Sequence, residues 1–311
     1  MNEARSQQTG PLVREGSVRL RDGRRLAYVE AGDLEGTPVI FIHGNPGSRY
    51  MRHPDDRLTY DLGVRLITPD RPGYGLSDFQ RGRTLLDMPS DIEQLANSLG
   101  VGQFAVMGVS AGGPYVAACA YRLGQRLTGA AIVSGAAPFN RSGAVEGVNR
   151  DYRTAYALAT WPHWLLQPIM TLHDRSVRRR PDRALAAVLE HCSADDRAVL
   201  ADPLVAAQIS GFRNEATRHG VQGMAREARL LTTPWGFPLG DIQVPVHLWY
   251  WEGDSIVPQQ MGRYLHARIP NTVPHFLPGG GHFSIYTQWK DILTALVRGG
   301  ESFPLPQETP P

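Results

Sequence analysis

The segment Phe104-Ala-Val-Met-Gly-Val-Ser-Ala-Gly-Gly113 constrains this chain more than any other. An apolar run of strand character ends in Gly108-x-Ser110-x-Gly112, and a helical stretch from Pro114 to Leu123 follows. A serine at such a strand-to-helix turn needs a backbone with positive φ. Its neighbours two residues away must be small to clear the turn. The turn lifts Oγ above the sheet, at the positive end of the next helix. Five residues alone would equally suit a glycine-rich surface turn. The strand before and the helix after make this one a candidate nucleophile.

The rest of the chain supplies the matching architecture. Ser17–Leu20 and Arg25–Glu30 flank Asp22-Gly23, a hairpin signal. Short apolar runs at 39–42, 64–67, 104–107, 130–133, 244–250 and 273–277 read as strands. Helical periodicity fills Ser90–Leu99 and Pro114–Leu123, closes at Leu265–Arg268, and returns at Gln288–Val297. Strands alternating with helices predict an α/β fold: a mostly parallel sheet of about eight strands with helices on both faces. The alternation stops between Phe139 and Phe237. Apolar-periodic stretches near 152–159, 183–190, 203–209 and 224–231 predict about four helices there and no strand. The expected organisation is a core at 12–138 and 239–300, a helical cap at 139–238, and disordered tails at 1–11 and 301–311.

Composition narrows the function. With 42% hydrophobic and 20% charged residues in 311, the chain can bury a sizeable core. Thirty-two basic and 30 acidic residues are too balanced to predict nucleic-acid binding. Only Lys290 is a lysine, and the run Arg178-Arg179-Arg180 is expected to be a solvated face. No apolar run reaches membrane-spanning length, and Met1–Gly10 has no apolar segment, so neither a membrane nor a secretory signal is expected. Cys119 and Cys192 form neither a disulfide framework nor a zinc pattern. A cytoplasmic protein without metal or organic cofactor is expected.

A serine hydroxyl needs a base. Of ten histidines, His282 stands out: it lies in Gly279-Gly-Gly-His-Phe283, just after the last strand. That position fits the chain order serine, acid, histidine. His247 and His275 belong to strands and are expected to pack. The orienting carboxylate is expected at Asp254 in Glu252-Gly-Asp254-Ser-Ile-Val-Pro258, with Glu252 as competitor. The loop after the preceding strand, Ser134-Gly-Ala-Ala-Pro138, offers no carboxylate. His43-Gly-Asn-Pro-Gly47 follows the 39–42 strand and suits an oxyanion loop. Its expected donors are the backbone amides of Asn45 and Ala111, and the Asn45 side chain could also face the pocket. The same loop would equally serve as a plain structural turn.

These blocks resemble the α/β-hydrolase fold superfamily in its cap-bearing branch, over about 17–138 and 238–298. They include His43-Gly-Asn-Pro-Gly-Ser48, Asp70-Arg-Pro-Gly-Tyr-Gly-Leu-Ser-Asp78, the Ser110 turn, Gly253-Asp254-x-x-Val-Pro258 and Gly281-His282-Phe283, in family order. The resemblance implies a structural role for the 70–78 loop and a lid role for the insertion. Serine at 110 disfavours the dehalogenases and epoxide hydrolases of this fold, which carry aspartate there. Ala111 and Gly44-Asn-Pro-Gly47 depart from the proline iminopeptidase pattern. Ser-Ala-Gly-Gly departs from the carbon–carbon bond hydrolases. A serine esterase or lactonase acting through Ser110, His282 and Asp254 is the implied function. Carbon–carbon or amide hydrolysis is the alternative, and a slowly turning ligand receptor a third. The partner is a small molecule with an apolar portion, and its pocket is expected to include His43, Phe139, Trp161, Trp164 and Met170.

Overall fold

The structure, a computed structural model, describes residues 10–298 except 142, 149 and 191. The expected disordered tails fall outside the described residues, apart from Gly10 and Pro11. Eight strands make one sheet: β1 (Leu12–Arg19), β2 (Arg25–Gly32), β3 (Thr37–Ile42), β4 (Val64–Pro69), β5 (Phe104–Val109), β6 (Leu127–Val133), β7 (Val246–Trp251) and β8 (Thr272–Leu277). Their order across the sheet is β1-β2-β4-β3-β5-β6-β7-β8. β2 runs antiparallel to β1 and β4, and every other pair is parallel.

The central strands are apolar at every position because both faces are covered. In β3, Ile40 and Ile42 enter one core while Val39 and Phe41 enter the other. β5 splits the same way, with Phe104 and Val106 on one side and Ala105 and Met107 on the other. This is the period of two of a strand. After α1 (Arg57–Tyr60), α2 (Met88–Ser98) and α3 (Gly113–Arg122) bring Ile92 and Val116 onto the first face. α10 (Gln259–His266) adds Met261 there, and α11 (Trp289–Arg298) covers the second face with Trp289, Ile292 and Leu293. Each large apolar side chain fully buried contributes about 1.5–3 kcal/mol.

Between β6 and β7 lie six helices and, among the described residues, no strand: α4 (Arg150–Leu158), α5 (His163–Arg179), α6 (Pro181–Glu190), α7 (Ala194–Leu200), α8 (Pro203–Ala216) and α9 (Gln222–Leu231). The insertion is fixed to the core by buried charge. Glu227 of α9 accepts from Arg83 Nη2 at 2.9 Å and from Tyr115 Oη at 2.8 Å, and pairs with Arg71. Trp235 is buried beside Phe237, which stacks on Tyr121 of α3 at 5.2 Å. Among the described residues, no helix is long and apolar enough to cross a membrane.

Parallel strands gather their carboxyl ends along one edge, where ligands of such sheets bind. β3, β5, β6, β7 and β8 lead there into His43, Ser110, Ser134, Asp254 and His282.

Candidate active site

Ser110 opens a 3-10 turn, Ser110–Gly112, between β5 and α3 with φ of 55°, a conformation that an L side chain holds only under constraint. The flanking glycines are required by space. A Cβ on Gly112 would stand 2.2 Å from the carbonyl oxygen of Ile42, and one on Gly108 2.8 Å from that of Gly112. The turn is therefore wedged against the end of β3.

Asp254 follows β7 and is buried, and its four lone-pair positions are filled. Oδ1 accepts from the amides of Ile256 and Val257 at 2.9 and 2.8 Å. Oδ2 lies 2.9 Å from His282 Nδ1 and accepts from Ser134 Oγ at 2.7 Å. Ser134 also sits at positive φ, 41°. The loop after β6 thus contributes a hydroxyl donor where its sequence showed only the lack of a carboxylate.

His282 is braced by the insertion. Asp196, near the start of α7, accepts from the backbone amides of His282 and Phe283 at 2.9 and 2.8 Å. Ser193 caps that helix by accepting from the Asp196 amide at 3.0 Å. Burial works against a charged His282 ring. The carboxylates of Asp254 and Asp196 outweigh it and hold the pKa above the ordinary histidine value. The Asp196 signal in the sequence was a Ser-x-x-Asp cap at 193–196, which the periodicity of so short a helix did not bring out.

The loop after β3 passes close to Ser110: a Cβ on Gly44 would lie 3.3 Å from Ser110 Cβ. Asn45 Oδ1 accepts from Tyr74 Oη at 3.0 Å. The Asn45 amide donates to no described group. That of Ala111 begins the 3-10 turn, where an amide lacks an internal partner. His43 does not line the pocket. It is fully buried behind this loop, with Nδ1 2.8 Å from the Gly44 carbonyl and Nε2 accepting from the Arg71 amide at 3.0 Å. Burial and the neighbouring Arg71 charge push its pKa well down, so the ring is a neutral brace. Asp70 is likewise structural, accepting from Arg49 and from the Leu76 amide.

A cavity of about 490 Å³ joins these parts. Gly44, Asn45, Ser110, Ile256, His282 and Phe283 line it from the core. Tyr152 of α4, Val177 and Arg178 of α5, Leu185 of α6, Leu200 of α7, and Ile209, Phe212 and Arg213 of α8 line it from the insertion. Ser110 and His282 face one space without a hydrogen bond between them, the looser geometry expected before a substrate binds. The other expected pocket residues lie elsewhere. Phe139 packs with Ala111, Ala136 and Leu231, its amide bonded to the Leu231 carbonyl, so the chain leaving β6 turns toward α9. Trp161 and Trp164 are on the outer surface, 42% and 75% exposed. Met170 is on α5 two turns before Val177, roughly 10 Å along the axis. The wall residues Tyr152, Leu185, Phe212 and Arg213 carried no sequence signal that set them apart from other helix positions.

A family model described as alpha/beta hydrolase fold matches residues 37–288. Proline iminopeptidase from Neisseria gonorrhoeae is 30% identical over 118 residues, 37% of this chain and 37% of that protein. The chain spans about a third of the length of the curated relatives matched at such identity. The esterase EaEST from Exiguobacterium antarcticum superposes with a TM-score of 0.66 at 20% identity, over 91% of this chain and 99% of that one. A bromoperoxidase from Bacillus anthracis gives 0.68 at 20% identity, over 92% and 100%. The chain belongs to the α/β-hydrolase fold family.

Proposed function

We propose that this α/β-hydrolase-fold protein is a serine hydrolase of carboxylic esters or lactones. The observation that carries the proposal is the strained Ser110 turn facing, across one apolar cavity, a histidine whose far nitrogen is held by a saturated, buried aspartate.

Ser110 Oγ attacks the carbonyl carbon while His282 Nε2 takes its proton. Asp254 fixes the tautomer with the proton on Nδ1 and stabilises the imidazolium that forms. The amides of Asn45 and Ala111 receive the oxyanion. Collapse breaks the bond to the leaving alcohol, which takes the proton from His282 and departs, leaving Ser110 acylated. Water, deprotonated by His282, adds to the acyl carbon. The acid leaves and the proton returns to Ser110.

Hydrolysis of p-nitrophenyl esters of increasing acyl length tests this. The wild type is expected to turn over, and a folded Ser110→Ala variant to lose turnover to background. Retained turnover in that variant would sink the mechanism. Amide cleavage is the second reading, favoured by the partial match to proline iminopeptidase. The cavity argues against it: no described carboxylate lines it to receive a peptide's terminal ammonium. Comparing a prolyl p-nitroanilide with the p-nitrophenyl esters separates the two.

A further inference from the structure

The apolar wall of the cavity is interrupted by two arginines, Arg178 and Arg213, and, among the described residues, by no carboxylate. Arg178 is already engaged. Its Nε donates to Asp174 Oδ2 at 2.9 Å and its Nη2 to the Asn214 carbonyl at 2.7 Å. The other oxygen of Asp174 accepts from Thr217 Oγ1 at 2.8 Å. Arg213, on α8, differs: the residue is partly buried and its side chain forms no hydrogen bond or ion pair with a described residue. Burial pushes its pKa down, an effect that Asp174, bonded to Arg178, and Tyr152 offset only in part and that the Arg178 charge reinforces. A positive charge held in an apolar cavity without a partner is costly to keep. A bound anion would remove that cost. Setting Arg178 against Asp174 leaves one net positive charge, which suits a single carboxylate group. The planar fork of a guanidinium matches a carboxylate with two parallel hydrogen bonds.

We propose that Arg213 forms a carboxylate subsite in the cavity, so that the ester cleaved carries a carboxylate away from its scissile bond. This rests on the serine-hydrolase reading above and specifies its substrate class.

Three esters of matched size test it: one neutral, one with a carboxylate ending the acyl chain, and one with it on the alcohol. The wild type is expected to favour one charged ester by about 10- to 100-fold in kcat/KM over the neutral one. Arg213→Met, which keeps an apolar stem, is expected to bring that ratio near one, and Arg213→Lys to restore part of it. A wild type that prefers the neutral ester, or a preference that survives Arg213→Met, overturns the subsite. Binding supplies a readout free of turnover. Glutarate should raise the Tm of the wild type while uncharged glutaramide does not, a contrast that holds even if the variants fail to fold. If no ester is cleaved but glutarate still raises Tm through Arg213, the subsite stands and the ester reading falls. If glutarate has no effect, the subsite falls.

Discussion

At Ser110 the strained backbone is set by contacts on both sides. Gly112 admits no side chain because the Ile42 carbonyl lies where its Cβ would go. Gly112→Ala is therefore expected to cost about 3 kcal/mol or more, measured by urea unfolding. A cost below 0.5 kcal/mol would mean that β3 and the turn are not wedged together. At His282 the raised pKa has a kinetic sign: the ring must be neutral to accept the Ser110 proton, so kcat/KM falls as pH drops through that pKa. The acid limb is expected to have its midpoint above pH 6.5, and Asp196→Asn to move it down, because one of the two carboxylates holding the imidazolium is gone. An unmoved midpoint in Asp196→Asn would assign Asp196 to the backbone of the loop alone. That Ser110, Asp254 and His282 would meet was legible in the sequence because each stands just past the end of its own strand, in a motif of fixed residue type. Ser134 was not, since a hydroxyl is common and its partner lies 120 residues away.

Among elements, α9 holds the insertion to the core through Glu227, buried between Arg71 and Arg83. Glu227→Gln leaves two buried guanidinium groups without a countercharge, at an expected cost of about 3–5 kcal/mol by denaturant unfolding. A loss under 1 kcal/mol would contradict this role. The strands were readable because each is a short apolar run bounded by turn residues. The insertion was read less well, for two physical reasons. Pro162 precedes α5 and Pro168 lies inside it, and proline argues against helix in any local reading. α7 spans only seven residues, too few for periodicity to show, and depends on its Ser193 cap. Trp161, just before α5, and Trp164, in its first turn, were assigned to the pocket, whereas both are exposed and α5 lines the cavity through Val177 and Arg178 near its C-terminus.

Over the whole molecule, buried histidines set the response to acid. His43, His247 and His275 are all held neutral by burial, His275 down to about 4. Groups with depressed folded pKa values contribute stability that is present above the unfolded value and lost as pH falls toward the folded one. For His275 the loss between pH 6.5 and 5 is at most about 1.5 kcal/mol. His282, with a raised value, acts in the opposite sense, and it is one ring against four, because burial lowers His53 as well. Stability is therefore expected to fall from pH 6.5 to 5 in denaturant titrations, and a flat profile would contradict the buried, neutral state of these rings. The central claim, that the fold delivers a live nucleophile at Ser110, is tested most directly by a fluorophosphonate followed by mass spectrometry of the intact and digested protein. The expected result is one adduct per chain on the peptide carrying Ser110, absent in Ser110→Ala and slowed severely in His282→Ala. A folded wild type that takes no label, or takes it at another residue, would contradict the account.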